Sequence, residues 1–124
     1  MIKEILLVGL GGAIGSILRY LTSLFAPNKI GAFFFPVATF TINIVGCLLI
    51  GLLIGLSLKH HIMDHHMKLL LVTGFCGGFT TFSAFSMESF QMYETGNYLT
   101  LALYVLLSVV IGFLAVWIGM ALIK

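Results

Sequence analysis

The chain has 124 residues, 60% of them hydrophobic and 8% charged, with a mean hydropathy of +1.18. A water-soluble fold of this length has no interior large enough to hide so much apolar surface, so the composition identifies an integral membrane protein. The formal net charge of +2, spread thinly along the chain, supplies no basic face and excludes nucleic acid as a partner.

The first segment, "MIKEILLVGLGGAIG", has an apolar run that continues past a signal peptide's length with no small-residue cleavage site. It is therefore expected to stay in the mature protein as a first span. A hydrocarbon core of roughly 30 Å needs about 20 helical residues, and four stretches reach that length, at about 5–25, 37–58, 69–90 and 98–123. Between them lie "APNKIGAFFFP", "KHHIMDHHMK" and "QMYETGN". Connections this short make neighbouring helices antiparallel. The expectation is an all-α membrane protein in which residues 1–124 form a single four-helix domain, both termini on one side.

Helices in lipid gain nothing by hiding apolar surface from water, so close backbone approach at small residues has to draw them together. Gly11 with Gly15, Gly51 with Gly55, and Ser108 with Gly112 have the four-residue spacing that puts a smooth strip on one helix face. Such strips serve packing within the chain or a contact with a second copy. Cys47 and Cys76 fall inside apolar stretches and read as small hydrophobes, not as a disulfide pair. Lys3, Lys59, Lys68 and Lys124 share the side of the termini, against Lys29 and Arg19 towards the other, which mildly favours a cytoplasmic N-terminus.

An ionisable or amide side chain in hydrocarbon costs at least ~2.5 kcal/mol on insertion scales and needs a partner or a wet cavity. Arg19, about two turns before the end of the first span, reads either as a snorkelling side chain or as part of an anion-attracting vestibule. Asn43 lies deeper, one turn after Thr39 on the same face, and its amide offers two N–H donors to another helix or to an anion. Glu88, near the end of the third span, is either interfacial or part of a pathway.

The third span contains "GFCGGFTTFSAFS", Gly74 to Ser86, a poor helix. Gly74, Gly77 and Gly78 weaken it and the β-branched pair Thr80 and Thr81 stiffens non-ideal geometry, which predicts a break at mid-membrane. Broken backbone at that depth is tolerated only against protein or a polar cavity. Freed carbonyls suit a cation, and hydroxyls and amides suit an anion. Phe79, Phe82 and Phe85 recur every three residues, with Ser83, Ser86 and Ser89 beside them. The rings serve either helix packing or, through their positive edges, a small anion.

The four histidines of "HHIMDHH" place His61 and His65 at a helical ligand spacing, but a short loop with Asp64 as its only acid reads as a solvated interfacial connection and not a metal site. No nucleophile triad, phosphate loop or carboxylate pair is present, so enzymatic activity has no support.

Three stretches in order resemble the signatures of the Fluc/CrcB family of small bacterial fluoride channels: "GGAIGSILRY", "ATFTINIVG" and "GFCGGFTTFSAFS". The resemblance covers essentially the whole chain. It implies a passive fluoride-selective channel of the bacterial inner membrane, built as a homodimer of antiparallel copies enclosing two pathways. It further implies that carbonyls at Gly77 and Thr80 hold a sodium ion at the dimer centre, that Phe82, Phe85 and Asn43 face the anion, and that Ser83, Thr39, Glu88 and Tyr104 form a polar track. Arg19 would lie near the aqueous vestibule. Ala38 and Ala84 stand where the family commonly has glycine and threonine. The lysine bias fits less well with dual topology, and an oppositely oriented heteromeric pair is the alternative. Two other readings are a small multidrug-type proton-coupled exporter, which would need a carboxylate within the first span, and a non-transporting assembly subunit.

Overall fold

The computed structural model describes residues 1–27, 29–30 and 33–123, with 29, 30 and 33 by their backbone alone. Lys124 and the Lys29 side chain, both used in the orientation count, lie outside the described residues. The first span is α1, Ile2–Phe25. The connection after it contains a minimal antiparallel pair, β1 (Lys29–Ile30) and β2 (Phe33–Phe34). The second span is α2, Val37–His60, ended by His61 in the left-handed conformation at φ 51°.

The third span, His65–Glu94, is composite. It opens with α3, His65–Lys68, where the Asp64 carboxylate accepts the Met67 N–H at 2.8 Å and so satisfies one of the exposed amides of the first turn. It widens into a π-helical stretch, Leu69–Cys76, returns to a turn of α-helix, α4 (Gly77–Phe79), and breaks at Thr80 and Thr81. Beyond the break α5, Phe82–Glu94, resumes, and a turn at Gly96, φ 79°, leads to α6, Tyr98–Leu122. All four spans are long and apolar enough to cross a membrane, and the protein is a multi-pass membrane protein.

The expected break is present, and of the two features expected to cause it, the glycines and the threonine pair, it falls at the threonines. Gly74, Gly77 and Gly78 precede it, and Cys76, Gly77 and the rest of α4 keep helical geometry. The chain departs at the threonines, where Thr80 (φ −78°, ψ 157°) and Thr81 (φ −147°, ψ 122°) are extended. That region suits β-branched residues without strain.

Two of these glycines act instead as contact points. A side chain at Gly74 would meet the Val8 carbonyl at 2.8 Å, and one at Gly78 would meet the Gly12 backbone at 2.9 Å. Reciprocally, side chains at Gly11 and Gly15 would collide with the backbone of Leu70, Phe75 and Phe79. So α1 lies with its backbone against the first half of span three, and two small-residue strips interlock. The pair formed by α2 and α6 is built the same way. Gly51 faces the Val116 backbone and Gly119 faces Leu52 N at 2.8 Å, while Gly55 meets Met120 and Ile123 at 3.3 Å and 3.2 Å. The strips at Gly11 and Gly51 are thus consumed within the chain. Gly112 faces the Cys47 sulfur at 3.5 Å.

Buried side chains are few and central, including Ile42, Cys76, Met92 and Tyr104. Large apolar residues such as Ile5, Ile17, Phe113 and Trp117 point outward, as a lipid-facing surface requires. Phe79 and Phe82 do not continue one helical face, because the break separates them. Phe79 is buried and stacks on Phe75 at 6.0 Å.

The backbone contacts make a direct prediction. Replacing Gly15 with alanine puts a methyl into the Phe75–Phe79 backbone and should cost about 1–3 kcal/mol. Gly9→Ala, which meets nothing within 4 Å, should be neutral or slightly stabilising. Thermal or denaturant unfolding of the two variants in detergent tests the contrast; equal midpoints would contradict the packing.

Candidate ion pathway

Breaking a helix in hydrocarbon strands backbone donors and acceptors, and the neighbouring spans answer most of them. Asn43 of α2 pairs with Thr81 at both ends of its amide, donating Nδ2–H to the Thr81 carbonyl at 3.0 Å and accepting the Thr81 N–H on Oδ1 at 2.8 Å. The side chain imitates a neighbouring strand. One Nδ2 hydrogen remains without a protein partner among the described residues.

Arg19 of α1 reaches the same region, its Nε–H donating to the Gly78 carbonyl at 3.0 Å, with Ser16 Oγ close to that oxygen at 3.5 Å. Its guanidinium is half-buried, attached to the break and not extended to the end of the span.

The remaining groups at the break are divided. Thr80 Oγ1 donates to the Cys76 carbonyl at 2.8 Å, and Thr81 Oγ1 accepts the Ala84 N–H at 3.3 Å as the cap of α5. The Ala84 contact is through its backbone, so the side chain that alanine lacks there is not part of the cap. The Thr80 methyl lies where a side chain at Gly46 would have to go, which seats the break on α2. Among the described residues no donor reaches the carbonyls of Gly77 and Thr80. Oxygen atoms of this kind fit an alkali cation, for which hard neutral oxygens are the natural ligands. No cluster of three or more His, Cys, Asp or Glu side chains suited to a metal occurs among the described residues.

Beside the break a groove of about 320 Å³ opens to the outside of the chain. Asn43 and Cys47 of α2, Thr80 and Thr81, Phe82 and Phe85 of α5, and Ser108 of α6 contribute to its walls. The Phe82 ring is 78% exposed and the Phe85 ring packs between Phe82 (5.9 Å) and Tyr104 (5.0 Å). Cys47 and Ser108 were not singled out for this site. Their place one helical turn from Asn43 and from Tyr104 respectively was the available signal.

The polar track expected from Ser83, Thr39, Glu88 and Tyr104 divides in two. Thr39 Oγ1 donates to Glu88 Oε2 at 2.9 Å and the Tyr104 hydroxyl donates to Oε1 at 3.3 Å, so three spans meet on one carboxylate. Thr39 and Tyr104 are buried, and Phe35 closes over Tyr104 edge-on at 5.4 Å. Ser83 is exposed and stands apart from that cluster, 3.4 Å from the Thr81 hydroxyl and beside the break.

Glu4, in the first turn of α1, is half-buried and 3.7 Å from His65, so no carboxylate lies deeper in the first span. The exporter reading loses its required residue. The histidines around Asp64 remain a surface connection, with His65 and His66 ring to ring at 5.8 Å.

The Asn43 bridge can be tested on its own. Asn43→Leu keeps the volume and removes both hydrogen bonds, at a cost of about 1–2 kcal/mol in a membrane setting. Hydrogen exchange of the Thr81 amide should then accelerate by roughly tenfold, while amides in α6 stay unchanged. Unaltered Thr81 exchange would mean the amide pairing does not hold the break.

Comparison with known proteins agrees with this geometry. The profile of the family described as "CrcB-like protein, Camphor Resistance (CrcB)" matches residues 6–120. A protein of Azobacteroides pseudotrichonymphae named "Fluoride-specific ion channel FluC" is 51% identical over 96% of this chain and 94% of its own length. Proteins of the same name from Flavobacterium psychrophilum and Methylobacillus flagellatus are 48% and 43% identical, each over 98% of this chain and over 98% and 94% of their own lengths. With a near full-length family match and relatives well above the level at which family membership is secure, the chain belongs to the CrcB family.

Proposed function

We propose that the chain is a passive, fluoride-selective ion channel through which cytoplasmic fluoride leaves the bacterial cell. The observation that carries the reading is the groove at the broken third span. There an amide with a spare N–H, threonine and serine hydroxyls and two phenylalanine rings converge in otherwise apolar surroundings. Relatives at 43–51% identity carry the name of a fluoride-specific channel.

Each element has a place in the mechanism. Arg19 supplies positive charge without an acidic partner within salt-bridge reach among the described residues, which raises the local concentration of anions. Fluoride sheds water onto the free Asn43 hydrogen and nearby hydroxyls. It then passes the positively biased ring edges of Phe82 and Phe85, which stabilise an anion without trapping it. Strong, close donors in a narrow passage favour the smallest halide, whose charge density rewards short contacts most. A non-transporting role is disfavoured by the cost of keeping these groups in hydrocarbon without an ion to serve.

One chain supplies only one wall of this passage, since the groove is open and Phe82 stands 78% exposed. The working unit is accordingly a homodimer of antiparallel copies with two pathways. Lys3, Lys59 and Lys68 lie towards one face while Arg19 is bonded to span three, a bias against dual insertion that keeps an oppositely oriented heteromeric pair as the alternative. A sodium ion at the centre of the pair would be held by the carbonyls of Gly77 and Thr80. When bound, it neutralises the negative ends of the carbonyl dipoles that the broken helix exposes. The chain itself holds those two oxygens in place through bonds to the residue after each of them, Arg19 to Gly78 and Asn43 to Thr81.

Ion flux from proteoliposomes tests the channel. Fluoride efflux should exceed chloride efflux by at least about a hundredfold, and Asn43→Asp, which turns a donor into a repelling charge, should lower fluoride flux by tenfold or more. Equal rates for the two halides would dismiss the proposal. The cation is tested apart from flux: replacing sodium by a bulky organic cation should lower the dissociation temperature of the dimer, and an unchanged value would remove sodium from the assembly.

A further inference from the structure

Away from the ion pathway, the ends of α2 and α6 leave a second groove of about 330 Å³, lined by Gly55, Leu58, Lys59, Met120 and Ile123. It exists because Gly55 lets the two helices touch there, with Met120 and Ile123 at 3.3 Å and 3.2 Å from the position a side chain would take. The notch is apolar within and carries one cation, Lys59, in the last turn of α2. Its place at the end of two membrane spans puts it where hydrocarbon meets headgroups.

We propose that this groove binds an acyl chain of an anionic phospholipid whose phosphate rests on Lys59. Charge complementarity selects the headgroup. The face that bears Lys59 also bears Lys3, Lys68 and the His60–His66 connection. Neither of its two acids lines the groove: Glu4 lies 3.7 Å from His65, and Asp64 caps α3 through the Met67 N–H. The carbonyl ends of α2 and α6 face the same layer and disfavour an anion. The lysine, not the backbone, must therefore supply the attraction. Basic pockets between spans at a membrane surface are suited to anionic lipid headgroups, and each lysine contributes about fivefold, or ~1 kcal/mol. Exposed Leu58 and half-buried Ile123 extend the apolar track along which the chain lies.

Native mass spectrometry of the full chain, released from detergent containing defined lipid, provides the test. Phosphatidylglycerol should be retained about tenfold more than phosphatidylcholine. Lys59→Gln should reduce that preference by about fivefold, while Lys68→Gln on the same face leaves it in place. Ile123→Trp, which fills the notch at the end of α6, should abolish retention of both lipids. Equal retention of the two lipids, an unchanged preference in Lys59→Gln, or the same protection against thermal unfolding from inorganic phosphate alone would each overturn the proposal.

Discussion

The structure depends on one constraint: two extended residues, Thr80 and Thr81, sit inside a membrane span, where lipid offers their peptide groups nothing. Every polar side chain near them can be understood from that. Asn43 takes both backbone polar atoms of Thr81, Arg19 takes the carbonyl of Gly78, and the Thr80 hydroxyl returns to its own helix at Cys76. Each unmade bond would cost several kcal/mol in hydrocarbon, more than any single packing contact in the chain. The break is stable because three spans contribute to it.

That answer requires the spans to be close, and the glycines provide the closeness. With Gly11, Gly15, Gly74 and Gly78 in backbone contact, α1 approaches span three near enough for Ser16 and Arg19 to reach a main-chain oxygen. Gly46 does the same for α2, leaving room for the Thr80 methyl so that Asn43, three residues earlier, meets Thr81 in register. Helix packing and polar satisfaction are therefore one arrangement. Loosening the glycine strips would separate the break from its partners before it exposed any apolar surface.

Much of this was legible in the sequence. Four spans follow from hydropathy, and a break in span three follows from the conflict between an apolar setting and the "GGFTTF" composition. The threonine pair is where the chain departs, as read; the glycines differ, because local propensity makes glycine a helix breaker, whereas in lipid it is first a packing residue. The bidentate Asn43–Thr81 pair was illegible for another reason. It joins residues 38 apart, and no local spacing reveals which backbone group an isolated amide will find. The same holds for Arg19, whose partner lies 59 positions away. The split of the expected polar track is likewise a matter of rotation about α5, which places Glu88 on the α2–α6 side and leaves Ser83 outside.

The division of donors bears on selectivity. At the groove the spare Asn43 hydrogen is not spent inside the chain, whereas beyond Phe85 Thr39 and Tyr104 spend theirs on Glu88. In the proposed channel an anion moving from the Phe85 ring towards Tyr104 must compete with a carboxylate for the same two O–H groups. Such a contest discriminates by charge density, because a hydroxyl leaves a carboxylate oxygen only for an acceptor that binds it at least as strongly. On that proposal fluoride would meet the condition and chloride, larger and more diffuse, would not. In the proposed channel the rings narrow the passage, and the two hydroxyls held by Glu88 would add a second point of choice to the one at the Asn43 amide.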